Sequence, residues 1–313
     1  MSTVAKKLRL LRRDAGLASF GPTDIVNSRN SLPSLSVIPA QAGIQFDSPG
    51  RKLGPSLRWD DELGQGKSNQ LQALRRLIRT REQPRRNKLQ PPAGIEIAPG
   101  LHYVETVLNY EASGTINVPA IDENPIDRHR LLCFDTETTG LAGGVGTRAF
   151  MIGVAAWNDG LLTVRQLYLT TIAGERAMLE IFTDWLKPET ILVSYNGKSY
   201  DAPLLKGRLR LNRVEHRLAE LPHIDWLHPT RRVYKGHLPN CKLATIEREV
   251  LRILREDDLP GSEAPAAWLA YLRGQSSTNL ARVLDHNRQD VITLMRLGDH
   301  LTTHHPAQPS SFL

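Results

Sequence analysis

Two carboxylates stand two residues apart in RLLCFDTETTG, the stretch from Arg130 to Gly140. In an extended chain, alternation puts Asp135 and Glu137 on one face with Leu131 and Cys133, while Leu132, Phe134 and Thr136 take the other. Acids converging at the end of an apolar strand repel each other unless something positive lies between them. A divalent cation, with its preference for hard oxygen donors, meets that need. Taken alone, D-x-E is also the pattern of two solvated acids at a strand end. A third acid, Asp201, follows the apolar run ILVSY and a short loop, with Pro203 just behind it. It suits the same site, and it equally suits an N-cap that satisfies the first free amides of a helix. In LDHNRQDVITLMRL, His286 and Asp290 are four residues apart and share a helix face, as an exposed helical pair also would.

The elements that must position these acids are legible from about residue 95 onward. LHYVETVLNY, RLLCFDTE, AFMIGVAAW and LLTVRQLYL are β-rich, and Asn158-Asp159-Gly160 between the last two predicts a tight hairpin turn. Residues 174–187 are helical by period, with Met178, Ile181, Phe182 and Trp185 on one face. The strand ILVSY and a helix starting near Asp201 follow. A hairpin meander and then a crossover predict an α/β fold, a mixed sheet of about five strands with helices on its faces. Helices near 242–254, 264–273 and 279–303 complete the domain.

FDTETTG, YNGKSYDAPLL and HNRQDV in this order resemble the DEDD superfamily of 3′-5′ exonucleases, and most closely its YprB-type ribonuclease H-like branch. GGVGTRAFMIG, HIDWLHPTRRVY and LPNCKLATIEREVL are further family-like stretches, and the resemblance covers roughly residues 130–300. It implies a ribonuclease H-like nuclease domain over 95–305. The expected activity is two-metal hydrolysis of phosphodiester bonds, from the 3′ end of single-stranded DNA or RNA. Asp135, Glu137, Asp201 and Asp290 would hold two divalent cations, Mg²⁺ or Mn²⁺, with Asp135 bridging both. One ion would activate a water and the other would stabilise the leaving oxygen. Thr138, Thr139, Gly140 and Leu141 would lie near the terminal nucleotide. His286 departs from the pattern: the superfamily has H-x-x-x-x-D or Y-x-x-x-D, and here a histidine stands at the tyrosine spacing while Asp285 occupies the other position. An imidazole with a pKa near about 6.5 can take a proton from the attacking water, or His286 only orients water or packs. A catalytically silent nucleic-acid-binding module, or an endonuclease using the same site, are the competing readings.

Other residues support smaller expectations. Lys198 in the loop before Asp201 is placed to touch a phosphate, or is simply solvated. Asp225 either supports the site from behind or caps the helix that follows it. Arg231 and Arg232 line a substrate path or face solvent. Gly143, Gly144 and Gly146 make a loop without the phosphate-loop pattern, so ATP use is not indicated. His216, His223, His228 and His237 lack close metal spacing, which argues against zinc. Cys133 and Cys241 have no C-x-x-C partner and read as buried thiols.

The formal charge of +7 is uneven. Residues 1–100 hold 17 Lys and Arg against 8 Asp and Glu, leaving 23 against 25 for the rest. A basic N-terminal segment beside a near-neutral domain suits attraction to a nucleic-acid backbone, though basic tails also merely solubilise. Residues 1–68, rich in Ser, Pro, Gly and Asn, predict a mostly disordered arm. Within it, SVIPAQAGIQFDSPG resembles a translated intergenic repeat of bacterial genomes, which implies an insertion and a bacterial source. At 69–82, Leu71, Leu74, Leu77 and Ile78 share a face with Arg75, Arg76, Arg79 and Arg81 around the rest, a basic amphipathic helix with its linker running to 90. The chain lacks a run of 18 apolar residues, and the charges in MSTVAKKLRLLRRDAG leave no signal peptide, so a cytoplasmic protein is expected.

Overall fold

Alternating apolar residues build the sheet, and the turns between them set its order. A computed structural model describes residues 90–118, 124–140 and 146–304. Its strands are β1 (Ile95–Ala98), β2 (Leu101–Asn109), β3 (Thr115–Ile116), β4 (Ile126–Asp127), β5 (Leu131–Thr138), β6 (Ala149–Asn158), β7 (Leu161–Leu169), β8 (Ile191–Ser194) and β9 (His223–Asp225). Seven of them form one sheet in the order β1-β2-β7-β6-β5-β8-β9, and β3 and β4 make a separate ribbon. Pairing is antiparallel from β1 through β5, then parallel for β5 with β8 and β8 with β9.

The expected turn between β6 and β7 is a two-residue connection. Asp159 (φ 47°) and Gly160 (φ 83°) are both left-handed, the conformation that matches the twist of a tight hairpin. After β7 the chain crosses through α1 (Glu175–Trp185) and returns as β8 beside β5, as the crossover expectation required. The remaining helices are α2 (Asp201–Leu211), α3 (Leu227–Tyr234), α4 (Leu243–Ile246), α5 (Ala264–Leu272) and α6 (Thr278–His304).

Strand β5 sorts its side chains between two cores. Leu132 and Phe134 pack with Met178 and Phe182 of α1 and Leu205 of α2. Leu131 and Cys133 pack with Val291 and Met295 of α6. Asp135 and Glu137 continue the second row, so the sheet face crossed by α6 carries them.

The sheet has seven strands where about five were expected. The extra ones, β1 and β9, are four and three residues long, too short for a period to show. The helix expected over 242–254 is also different. It passes from α4 into a π-helical turn, Glu247–Leu251, and stops at Arg252, which is left-handed (φ 56°). Cys133 is buried, but Cys241 is only half-buried. The expected arm, the basic helix, Leu141, Gly143 and Gly144 lie outside the described residues. Among the described residues no helix is long and apolar enough to cross a membrane.

Candidate active site

Asp135 stands in a row of three residues across the sheet. Its register partner on β6 is Gly153, and Gly153 in turn pairs with Gln166 on β7. Because Gly153 has no side chain, Asn287 of α6 lies directly on it; a Cβ there would come within 2.1 Å of Asn287 Oδ1. The Gln166 amide donates to Asn287 Oδ1 (3.0 Å) and to the Leu284 carbonyl (2.8 Å). Asn287, fully buried, then donates from Nδ2 to Asp135 Oδ2 (2.9 Å). This relay aims the Asp135 carboxylate and fixes α6 against the sheet. Glu137, also buried, lies on the same face two residues on.

Thr136 points the other way, and its hydroxyl donates to Asp201 Oδ1. Asp201 is the first residue of α2, with Tyr200 at the cap position making no side-chain bond. The N-cap alternative for Asp201 therefore does not hold, since its carboxylate turns back toward β5. The preceding loop is pinned by Asp225, which accepts from the backbone N–H of Asn196 (2.6 Å) and Lys198 (3.0 Å). Asp225 also accepts from Leu227 N–H (3.1 Å) at the start of α3, so one buried carboxylate ties that helix to the loop before Asp201. Gly197 is closely approached, since a Cβ there would lie 2.5 Å from Ser194 Oγ and 3.2 Å from Asp201 Oδ2.

Asp290 lies on the same face of α6 as His286, and a guanidinium holds it. Arg255 donates to both oxygens of buried Glu247, from Nε and Nη2 at 2.7 Å each, and Nη2 also donates to Asp290 Oδ1. Thr293 Oγ1 donates to Glu247 as well. Such bidentate charged pairs are the strong, orienting kind. His286 Nδ1 sits between Asp258 Oδ1 (2.8 Å) and Arg255 Nη1 (3.0 Å), and its Nε2 is 3.6 Å from Asp290 Oδ2. Asp285 faces away and pairs with Arg288 at 2.8 Å.

The acids crowd one another electrostatically. Burial, followed by the charges of Asp290, Asp201 and Glu137, holds the Asp135 carboxyl well above the usual range, while the Asn287 bond pulls it down. Glu137 is raised by burial and by Asp290 and Asp201, against the pull of Arg255. Asp201 is pushed up to about 6, chiefly by burial, against the Thr136 bond. Among the described residues no three His, Cys, Asp or Glu side chains stand close enough together to hold a metal ion. Asp290 is turned onto Arg255, and Asp201 onto Thr136. By donor chemistry the set still fits a hard divalent cation: four carboxylates whose mutual repulsion is met by one contacting guanidinium.

The segment after D-x-E is tied down at its base. Thr139 N–H donates to the Arg148 carbonyl (2.9 Å), Thr139 Oγ1 accepts from Arg148 N–H (3.1 Å), and Thr138 Oγ1 donates to the Gly140 carbonyl (3.1 Å). The Arg148 side chain pairs with Glu175 of α1, which Arg208 of α2 binds bidentately at 2.6 and 2.7 Å. Lys198, Arg231 and Arg232 are exposed. His223 donates to or accepts from Ser194 Oγ at 2.8 Å, and burial lowers its pKa to about 4. Thr136, Gln166, Glu247, Arg255, Asp258 and Asn287 were not singled out from the sequence. A glycine in the middle of AFMIGVAAW was the available signal for Asn287, because such a glycine marks a close approach.

Residues 132–302 match the family model RNase_H_2, described as RNase_H superfamily. "Uncharacterized protein YprB" of Bacillus subtilis (strain 168) is 38% identical over 179 residues, which cover 56% of this chain and 43% of that protein. The chain thus spans less than half the length of this curated relative. Two solved structures are also similar. The family B DNA polymerase from the hyperthermophilic archaeon Pyrobaculum calidifontis is 17% identical with a TM-score of 0.43, over 64% of this chain and 28% of that one. A structure of exonuclease I is 16% identical with a TM-score of 0.32, over 56% and 43%. With a fold of antiparallel meander, crossover helix and parallel strand, and a family match across more than half its length, the chain belongs to the RNase_H superfamily.

Proposed function

We propose that the protein is a divalent-metal-dependent nuclease of the DEDD type, trimming single-stranded DNA or RNA from the 3′ end. The carrying observation is the set Asp135, Glu137, Asp201 and Asp290 from β5, α2 and α6: burial and the charges of Asp290 and Asp201 hold the Asp135 and Glu137 carboxyls well above their usual range, which a cation would relieve. These four would hold Mg²⁺ or Mn²⁺, which supplies a Lewis acid for the phosphoryl oxygens and the attacking water. The protein's own groups orient. Asn287 aims Asp135, Thr136 aims Asp201, and Arg255 holds Asp290 beside His286. His286 Nε2 takes a proton from the attacking water as the water oxygen bonds to phosphorus and the P–O3′ bond breaks; a proton from solvent completes the leaving O3′ hydroxyl, and His286 returns its own to solvent. Thr138, Thr139, Gly140, Leu141 and Lys198 are the proposed contacts to the terminal nucleotide.

A second reading, a catalytically silent nucleic-acid-binding module, is favoured by one specific observation, the guanidinium seated on Asp290. Cleavage of end-labelled single-stranded DNA and RNA with Mn²⁺, Mg²⁺ or EDTA separates the two. Metal-dependent 3′ trimming, lost in Asp135→Ala and Asp290→Ala, is expected. Binding without cleavage of any oligonucleotide would establish the silent module. Cutting of end-blocked substrates would make the protein an endonuclease.

A further inference from the structure

Beside the loop that leads to Asp201 lies a cavity of about 860 Å³, bounded by Tyr195 and Asn196, the end of α3 and the segment 235–243. Its cations are Arg231, Lys235 and Lys242, all exposed, and no acidic side chain lines it. None of the three makes an ion pair among the described residues. Its apolar and aromatic lining is Tyr195, Leu227, Leu238, Pro239 and Leu243. The Tyr195 hydroxyl donates to the carbonyl of Cys241, another lining residue, at 2.5 Å, which fixes the ring.

We infer that this cavity binds the backbone and bases of a single nucleic-acid strand, Arg231, Lys235 and Lys242 taking its phosphates and the apolar lining with Tyr195 its bases. Unpaired cations beside an apolar, ring-bearing lining are the combination that single-strand binding uses: charge for the backbone, apolar and aromatic surface for bases. A duplex keeps its bases stacked inside and offers nothing to such a lining. A free phosphate would leave it unused. The inference rests on the nuclease reading for its place in function. The cavity adjoins Asn196, five residues before Asp201, so a strand lying in it is the part of the substrate away from its reacting end.

The test is anisotropy of a labelled oligothymidylate on the full chain, in EDTA, across a range of KCl. It compares the parent with the triple variant Arg231→Gln, Lys235→Gln, Lys242→Gln. A control removes the same charge elsewhere, through Lys206→Gln, Arg210→Gln and Arg213→Gln on and after α2. The cavity variant should bind at least about tenfold more weakly, with a salt slope shallower by about 2 to 3, one for each phosphate no longer neutralised. The control should follow the parent. An unchanged slope in the cavity variant, or an equal change in the control, would overturn the inference while metal-dependent cleavage by the parent left the nuclease reading standing. Conversely, cavity-dependent binding by a parent that cuts nothing would keep the cavity and sink the nuclease. Equal loss of binding to a matched duplex would overturn the assignment to a single strand.

Discussion

Arg255 and Asp290 share one hydrogen bond, and through it the arginine that pairs with buried Glu247 takes hold of an acid that the proposed chemistry needs. Glu247 is 1% exposed and has no other cation at hand among the described residues, so removing the guanidinium leaves a buried charge unmatched. Arg255→Met should therefore cost about 3 to 5 kcal/mol in urea unfolding, and the double variant Arg255→Met, Glu247→Met should recover most of it. A double variant as unstable as the single one would show that the pair is not the source of the loss. Calorimetric titration with Mn²⁺ adds a second reading. With its competitor gone, the double variant should bind the ion more tightly than the parent if Arg255 opposes the ion at Asp290, and more weakly if it serves only to aim the acid.

Gly153→Ala is the sharpest probe of the relay onto Asp135. The new methyl would fall on Asn287 Oδ1, and the adjoining Cγ at 2.8 Å leaves it no room. Asn287 must then leave both Gln166 and Asp135. A loss of about 1 to 3 kcal/mol is expected from overpacking, with a fall in cleavage rate well beyond what the stability change explains. A fully active variant would mean that the relay does not orient Asp135.

Asp201 gives a pH dependence whose sign can be worked out. Its folded pKa of about 6 lies above its ordinary value of 3.8, so folding favours the protonated form. Stability from this group is complete below about pH 4 and is lost as pH rises through 6. Asp201→Asn, which cannot ionise and still accepts from Thr136, should gain on the parent across that window. By neutral pH, without metal, the gain should reach at most about 3 kcal/mol. Melting curves in EDTA from pH 4 to pH 8 check this, and parallel curves for the two proteins would contradict it. Added Mg²⁺ should stabilise the parent more than the variant.

The charge carried by residues 1–100 leads to a separate expectation. Removing residues 1–90 should weaken oligonucleotide binding and flatten its dependence on salt. Identical affinity for the shortened and full chains at every salt concentration would show that the segment only solubilises.

Strong periods were enough to read much of the fold. The meander, the Asp159-Gly160 turn, α1 and the return of β8 beside β5 follow from alternation and turn chemistry that a single sequence displays. The shared face of Asp135 and Glu137 was legible for the same reason. Hidden features depend on distance in space rather than spacing in sequence. Nothing along the chain relates Arg255 to Glu247 and Asp290, because a π-helical turn and a left-handed Arg252 set their meeting. Thr136 faces away from its two acidic neighbours, so a reader counting faces passes over it. Asp225 was named as a support or a cap, but its grip on Asn196 and Lys198 required knowing that HID forms a strand beside β8.

Asp225 also couples two places mechanically. By gripping Asn196, Lys198 and Leu227 together, one carboxylate fastens the wall of the basic cavity and the root of α2 to the same strand end. Anything seated in that cavity is thereby held at a set offset from Asp201, as a workpiece is held against a stop. Under the proposed strand binding and cleavage, the interval between the gripped chain and the place where it is cut is a property of the fold, the same for every sequence that passes through.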